Sequence, residues 1–210
     1  MKNVFLKFGC VSTIFLTMFC AGCVSVGRSP ESRFYALQTL KGAEVPEMNK
    51  DALNGIIIGI GPIEIPGFLD RPQIVTQDNN NELHFVEFDR WAEPLGESIK
   101  RVIAENLTLI FPGVNTMLYP WNPSLPVKYG VIMEIIRLEA QLDKEAVLVV
   151  NWSVLETQKK EILLTKQSTY QSRIAKPDYS SLRDAFSKLI AMLSIEIAKS
   201  IEPLASAQSR

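Results

Sequence analysis

The sequence predicts an α+β domain: a mostly antiparallel β-sheet with two helices packed on one face. Strand-like runs dominate the 210 residues, and the two stretches with helical periodicity stand apart, one central and one terminal. Clusters of turn-forming residues separate the runs, as a meander requires.

Residues 33–37, Arg-Phe-Tyr-Ala-Leu, form a first short strand, and the polar stretch 41–54 with Pro46 is a loop. Residues 55–65 are the strongest strand of the first half because isoleucine recurs through them; Pro66-Gly67 ends it. Residues 73–76 and 83–88 pair as a hairpin around Asp78-Asn79-Asn80-Asn81, whose side chains suit a turn. Pro94 opens a helix, where its missing N–H costs nothing. Leu95, Ile99, Val102, Asn106 and Leu109 share a face that Ile103 and Ile110 widen, while Glu97, Lys100, Arg101 and Glu105 face water.

Pro112-Gly113 stops that helix, residues 114–119 make a further strand, and Pro120 to Pro126 is a proline-rich loop around Trp121. Residues 127–140, 146–156 and 161–173 form a three-strand meander through turns at 142–145 and 157–160. Val147-Leu148-Val149-Val150 is apolar on both faces, which predicts a central strand covered on both sides. The last helix, 181–201, carries Leu182, Phe186, Leu189, Leu193 and Ile197 on one stripe; Pro203 is expected to end it and leave 203–210 as a flexible tail.

Ahead of this domain, Lys2 and Lys7, an apolar segment and Ala21-Gly22 have the order of a secretory signal peptide, residues 1–22. Cys23 directly after the small pair resembles the lipobox of bacterial lipoproteins, in which that cysteine carries a diacylglyceryl thioether and an N-acyl chain. An uncleaved transmembrane helix is the alternative, but Ser12, Thr13, Thr17, Gly22 and Ser25 dilute the run. Residues 23–32 are then a lipidated tether and 33–202 a single domain. The nine residues after Cys23 span at most about 30 Å, so the body stays near the bilayer. Val24, where an inner-membrane lipoprotein tends to carry aspartate, implies the periplasmic face of the outer membrane.

Removing the leader leaves 188 residues with a net charge of −3. That charge disfavours nucleic acid as a partner. Cys10 and Cys20 leave with the leader and Cys23 is acylated, so no disulfide or thiolate metal site is expected, and neither metal nor cofactor. Catalytic candidates are sparse. His84 is the single histidine and lies on an alternating strand as a surface residue. Glu87 and Asp89 fall on one solvated side of that strand, with Glu93 beyond. There is no Gly-x-Ser-x-Gly elbow, and Gly59-Ile60-Gly61 is no phosphate loop because Pro62 and more strand follow.

Binding candidates are better. Trp91 is either a structural staple or an interface anchor. Trp121, flanked by prolines, is either shown to a partner or pinned back on its own core. The tight segment Pro66 to Pro72 is expected to expose Phe68 and Leu69 as an apolar contact, with Asp70 and Arg71 beside them.

Residues 32–37, the run Gly61 to Thr76, the segment Asp89 to Leu95 and the helix end Ala104 to Leu107 resemble the ABC-transporter auxiliary lipoproteins over residues 33–201. The resemblance implies a non-enzymatic outer-membrane lipoprotein that works with an MCE-domain membrane protein. Such systems carry phospholipids between the two membranes, and the lipoprotein forms a homo-oligomeric ring that docks the tunnel's far end. Phe68, Leu69, Asp70, Arg71 and Trp121 are the expected contact residues. A monomeric carrier holding one lipid is the rival reading, and an anchored hydrolase ranks last.

Overall fold

Strand β1 (Arg33–Tyr35) opens the fold, and a 3-10 turn (Gly42–Glu44) interrupts the loop that follows. Strands β2 (Ile57–Glu64), β3 (Gln73–Gln77) and β4 (Leu83–Trp91) come next, then helix α1 (Leu95–Ile110). Strands β5 (Asn115–Leu118), β6 (Val127–Ala140), β7 (Glu145–Glu156) and β8 (Glu161–Arg173) precede helix α2 (Tyr179–Gln208). This computed structural model describes residues 30–208, with side chains to residue 205. The leader, Cys23 and all of the tether before Pro30 lie outside the described residues.

The class is α+β, but the strands divide into two sheets rather than one. A three-stranded sheet runs β1-β4-β3 and a five-stranded sheet runs β5-β2-β6-β7-β8. The meander β6-β7-β8 is antiparallel, while β2 pairs parallel with both β5 and β6, and β1 pairs parallel with β4. Parallel partners need a crossover; between β2 and β5 it is made by the hairpin and α1. The isoleucine-rich β2 is therefore central, hydrogen-bonded on both edges.

The core forms between the inner sheet face and the two helices. Ile58, Ile60, Val131, Ile135, Leu148, Val150 and Trp152 meet Ile99, Val102 and Ile103 of α1 and Leu182, Phe186, Leu189, Leu193 and Ile197 of α2. Along β7 burial alternates strictly, with Ala146, Leu148, Val150 and Trp152 inside. Val147 and Val149 are only half-buried, so the outer face is not covered as expected. Cross-strand polar pairs occupy that face: Gln167 donates to Asn151 (2.9 Å), and Ser153 meets Thr165 (2.9 Å).

Three details of the helices differ from expectation. Leu107 completes the buried stripe of α1, and Leu109 is 44% exposed. Leu109 lies beside β5, the edge of the sheet, where no further strand among the described residues covers it. Lys100 is buried rather than solvated; its stem passes Gly61 and its ammonium donates to Glu97 (2.8 Å) and the Tyr119 carbonyl (3.1 Å). Pro203 does not end α2. The helix runs on to Gln208 because Ala205 is buried and Leu204 packs on the core, which offsets the one helical hydrogen bond that proline forfeits.

Candidate functional site

The segment between β2 and β3 turns tightly because the Leu69 N–H returns to the Pro66 carbonyl (2.8 Å) and the Arg71 N–H to that of Leu69 (2.8 Å). The turn plugs Leu69 into the core at 3% exposure and half-buries Phe68. These two side chains are therefore not displayed as the sequence suggested: an apolar residue in a one-turn loop over the sheet finds the core closer than solvent. Asp70 is exposed. Arg71 lays its guanidinium 4.2 Å above the Phe85 ring centre. Its Nε is buried and has no hydrogen-bond partner among the described residues.

Trp121 takes the pinned-back alternative. Its ring lies across Gly59 of β2 and Gly130 of β6, and a methyl group at Gly130 would stand 2.6 Å from Trp121 Cη2. Tyr119 meets the ring edge-on at 5.8 Å. Two glycines on neighbouring strands thus cut a slot in the outer sheet face, and the proline-rich loop is held in it by the indole. An isolated glycine within a strand signals close approach; Gly59 and Gly130 carried that signal, but only their pairing shows what approaches. Beside the slot, residues 122–126 are exposed, and they line an open depression of about 710 Å3 with Trp121, Val127, Thr157 and Gln158. Leu125 in its lining and Tyr119, which meets Trp121, are exposed; Leu118, also exposed, lines a separate hollow with Leu109 of α1.

Trp91 is a structural staple, buried and stacked on Phe186 of α2 at 5.9 Å. Asp89 is not on a solvated face. At 3% exposure it accepts from Arg33 (2.8 Å) and the Tyr35 hydroxyl (2.7 Å), joining β1 to β4. Its carboxylate raises the Arg33 guanidinium, and burial first, then Asp89, raises the Tyr35 phenol. Glu93 pairs with Arg101 (2.6 Å), whose hydrogen bonds hold its carboxyl below the usual range.

The candidate acids and the histidine end in different places. His84 stands exposed at the hairpin tip, 3.3 Å from Asp78 Oδ2. Asp78 Oδ1 also accepts from the backbone of Asn80 and Glu82 (2.8 and 2.9 Å), which keeps that carboxyl low. Asp78, Glu82 and His84 bring one ligand atom each within 4.8 Å of the others. The geometry is that of a turn-closing carboxylate with a solvated imidazole.

Two buried polar networks escaped sequence reasoning. Asn106, on the apolar stripe of α1, accepts from the Leu40 N–H (2.8 Å) and donates to Ser194 of α2 (3.0 Å), pinning loop and helices together. Glu196 of α2 accepts from Ser168 (3.0 Å), Lys166 (3.4 Å) and Tyr170, while Trp152 donates to Ser168 (3.0 Å). Burial alone would raise the Glu196 carboxyl, but these donors together bring it below the usual range; burial first, then the bond to Glu196, pushes the Tyr170 phenol up. A lone asparagine on an apolar face was a visible signal for the first network. The second joins β7, β8 and α2 across distances that no local pattern reveals.

The family model for the ABC-type transport auxiliary lipoprotein component matches residues 35–198. The chain belongs to this family. As in the sequence resemblance, the two motifs of this auxiliary lipoprotein are Gly61 to Thr76 and Asp89 to Leu95, and they lie side by side: the Trp91 N–H donates to the Pro72 carbonyl (2.7 Å) and Gln73 pairs with Arg90. The fold is similar to that of a protein from Xanthomonas campestris, with a TM-score of 0.66 at 13% identity over 84% of this chain and 98% of that one. An uncharacterized protein of known structure gives a TM-score of 0.66 at 14% identity, over 82% and 99%. A hypothetical protein from Chlamydia trachomatis gives 0.47 at 12% identity, over 72% and 98%. No curated protein matches the chain. Among the described residues, no helix of this auxiliary lipoprotein is long and apolar enough to cross a membrane.

Proposed function

We propose that this chain is the outer-membrane lipoprotein of an MCE-type phospholipid transport system, anchored through acylated Cys23 on the periplasmic face. In this reading it docks the far end of an MCE-domain tunnel, supports membrane integrity and performs no catalysis. The observation that carries the reading is membership of the transport auxiliary lipoproteins over residues 35–198. The leader with its small-small-Cys ending supplies the anchor, and the short tether keeps the body within reach of one membrane only.

The packing favours docking over lipid carriage. Trp152, Tyr129, Phe111 and Phe186 are fully buried in the core, and dense packing of large side chains there disfavours an enclosed acyl chain. Of the five expected contact residues, Leu69 serves the core and Trp121 holds the loop. The contact surface is then the loop that Trp121 positions, with exposed Leu118, Tyr119 and Leu125 beside the open edge of β5. Rigid apolar groups lose little entropy on association. A sheet with open edges at both β5 and β8 also suits head-to-tail association into a closed ring.

Purification of the native acylated protein from membranes tests the reading. Light scattering should show a defined homo-oligomer, and an MCE-domain protein should co-purify. A monomer that brings stoichiometric lipid and no MCE-domain protein would replace docking with the carrier reading.

A further inference from the structure

We infer that the face formed by Phe34, Arg71 and Phe85 rests on the phospholipid surface to which the chain is tethered, an inference that rests on the acylation of Cys23 proposed above. Phe34 is 65% exposed and Phe85 46% exposed, on the neighbouring strands β1 and β4. Arg71 joins them: it lines one shallow hollow with Phe34, and its guanidinium stacks on the Phe85 ring. Two rings flanking a cation match the level of a bilayer where acyl chains meet phosphates. The phenyl groups enter the apolar side, and the guanidinium donates to phosphate oxygens.

The chain itself says why a bilayer, rather than a protein, covers this face. Phe34 is the second residue of β1, and residues 24–32 reach no further than about 30 Å from the lipidated cysteine. The root of the tether is part of the patch. Three nearby acids are paired, Asp89 with Arg33, Glu87 with Arg90 and Glu93 with Arg101; exposed Asp70 lines the hollow itself beside Arg71, so these two leave the patch with no net negative charge.

Full-length acylated protein in vesicles of phosphatidylethanolamine and phosphatidylglycerol tests the inference. Processing and acylation leave no native thiol, so one introduced cysteine takes a polarity-sensitive nitrobenzoxadiazole label. Asp70→Cys places it in the lining of the hollow and keeps Phe34, Arg71 and Phe85 intact. Ile162→Cys places it on a 63% exposed residue of β8. That site is remote, because α2 starts beside the Arg33–Asp89 pair and meets Lys166 at Glu196 and Ser200, about 25–30 Å along the helix. Quenching by lipid spin-labelled near the headgroup should be at least threefold stronger at residue 70 than at 162. Phe34→Ser with Phe85→Ser should abolish the difference. Equal quenching at both sites in an acylated chain, or a difference that survives the double substitution, overturns the inference alone. An intact mass without thioether-linked lipid overturns the acylation reading and the inference with it.

Discussion

Gly130→Ala should destabilise the domain through Trp121 and through little else. The added Cβ would stand 2.6 Å from Trp121 Cη2 and 3.1 Å from Leu155 Cγ. The leucine tip is flexible and gives by a few tenths of an ångström, but the indole is wedged between two strands and has to leave its slot. Overpacking of this kind costs about 1–3 kcal/mol. Trp121→Ala alone exposes on the order of 100 Å2 of apolar surface, about 2.5 kcal/mol at 25 cal/mol/Å2. With the ring gone, the clash at Gly130 goes too, so Gly130→Ala in that background should cost about 0.5 kcal/mol or less. The two substitutions should therefore couple by about 1–2 kcal/mol. Urea denaturation followed by circular dichroism on the four proteins measures this, with unchanged m-values as the check on two-state unfolding. Equal costs for Gly130→Ala with and without Trp121 would refute the slot.

Leu189→Asp would place an unpaired charge at a position with no solvent exposure, and a loss of about 3 kcal/mol or more is expected; a melting temperature within two degrees of the parent would remove Leu189 from the core. Asp89→Ala leaves the buried Tyr35 hydroxyl without its acceptor and should cost about 1–3 kcal/mol by urea denaturation, most of it absent in a Tyr35→Phe background. The folded Glu196 carboxyl lies below its unfolded value of 4.5, so it contributes stability above that pH that is lost as pH falls through the folded value. Glu196→Gln should flatten the fall in melting temperature below pH 4.5, and an unaltered acid limb would count against the network. Cys23→Ser should abolish palmitate-analogue labelling and release the protein from membranes; persisting label would mean that the lipid sits elsewhere.

Local pattern placed the elements well and their partners poorly. The meander strands fall at residues 127–140, 145–156 and 161–173 because alternation and turn residues act within a few positions of one another. Helix α1 likewise follows from Pro94 and its apolar spacing. The parallel pairings of β2 with β5 and β6 were invisible, since one residue does not announce which distant strand it will hydrogen-bond. Asp89 looked solvated because alternation puts it beside Glu87; the strand that covers it, β1, lies more than fifty residues earlier in the chain. Pro203 read as a stop because proline costs a local hydrogen bond, whereas burial of Ala205 is a tertiary gain. The expected contact residues split for the same reason. Phe68 and Leu69 are apolar in a turn, and only the space beneath the turn decides that one is half-buried and the other fully inside.

In the proposed anchored protein β1 would be the root of the tether, and this short strand is held firmly by its side chains. β1 has three residues, too few to hold by backbone pairing alone. Each nevertheless does separate work: Arg33 and Tyr35 converge on the Asp89 carboxylate, and Phe34 points to solvent between them. Asp89 is two residues from Trp91, which stacks on Phe186 of the long helix. Any pull through the tether therefore passes from two charge-assisted hydrogen bonds into the centre of the core. If the chain is anchored as proposed, a buried carboxylate shared by two donors would fix the orientation of the body relative to its tether, and the same geometry leaves the Phe34 ring exposed to solvent.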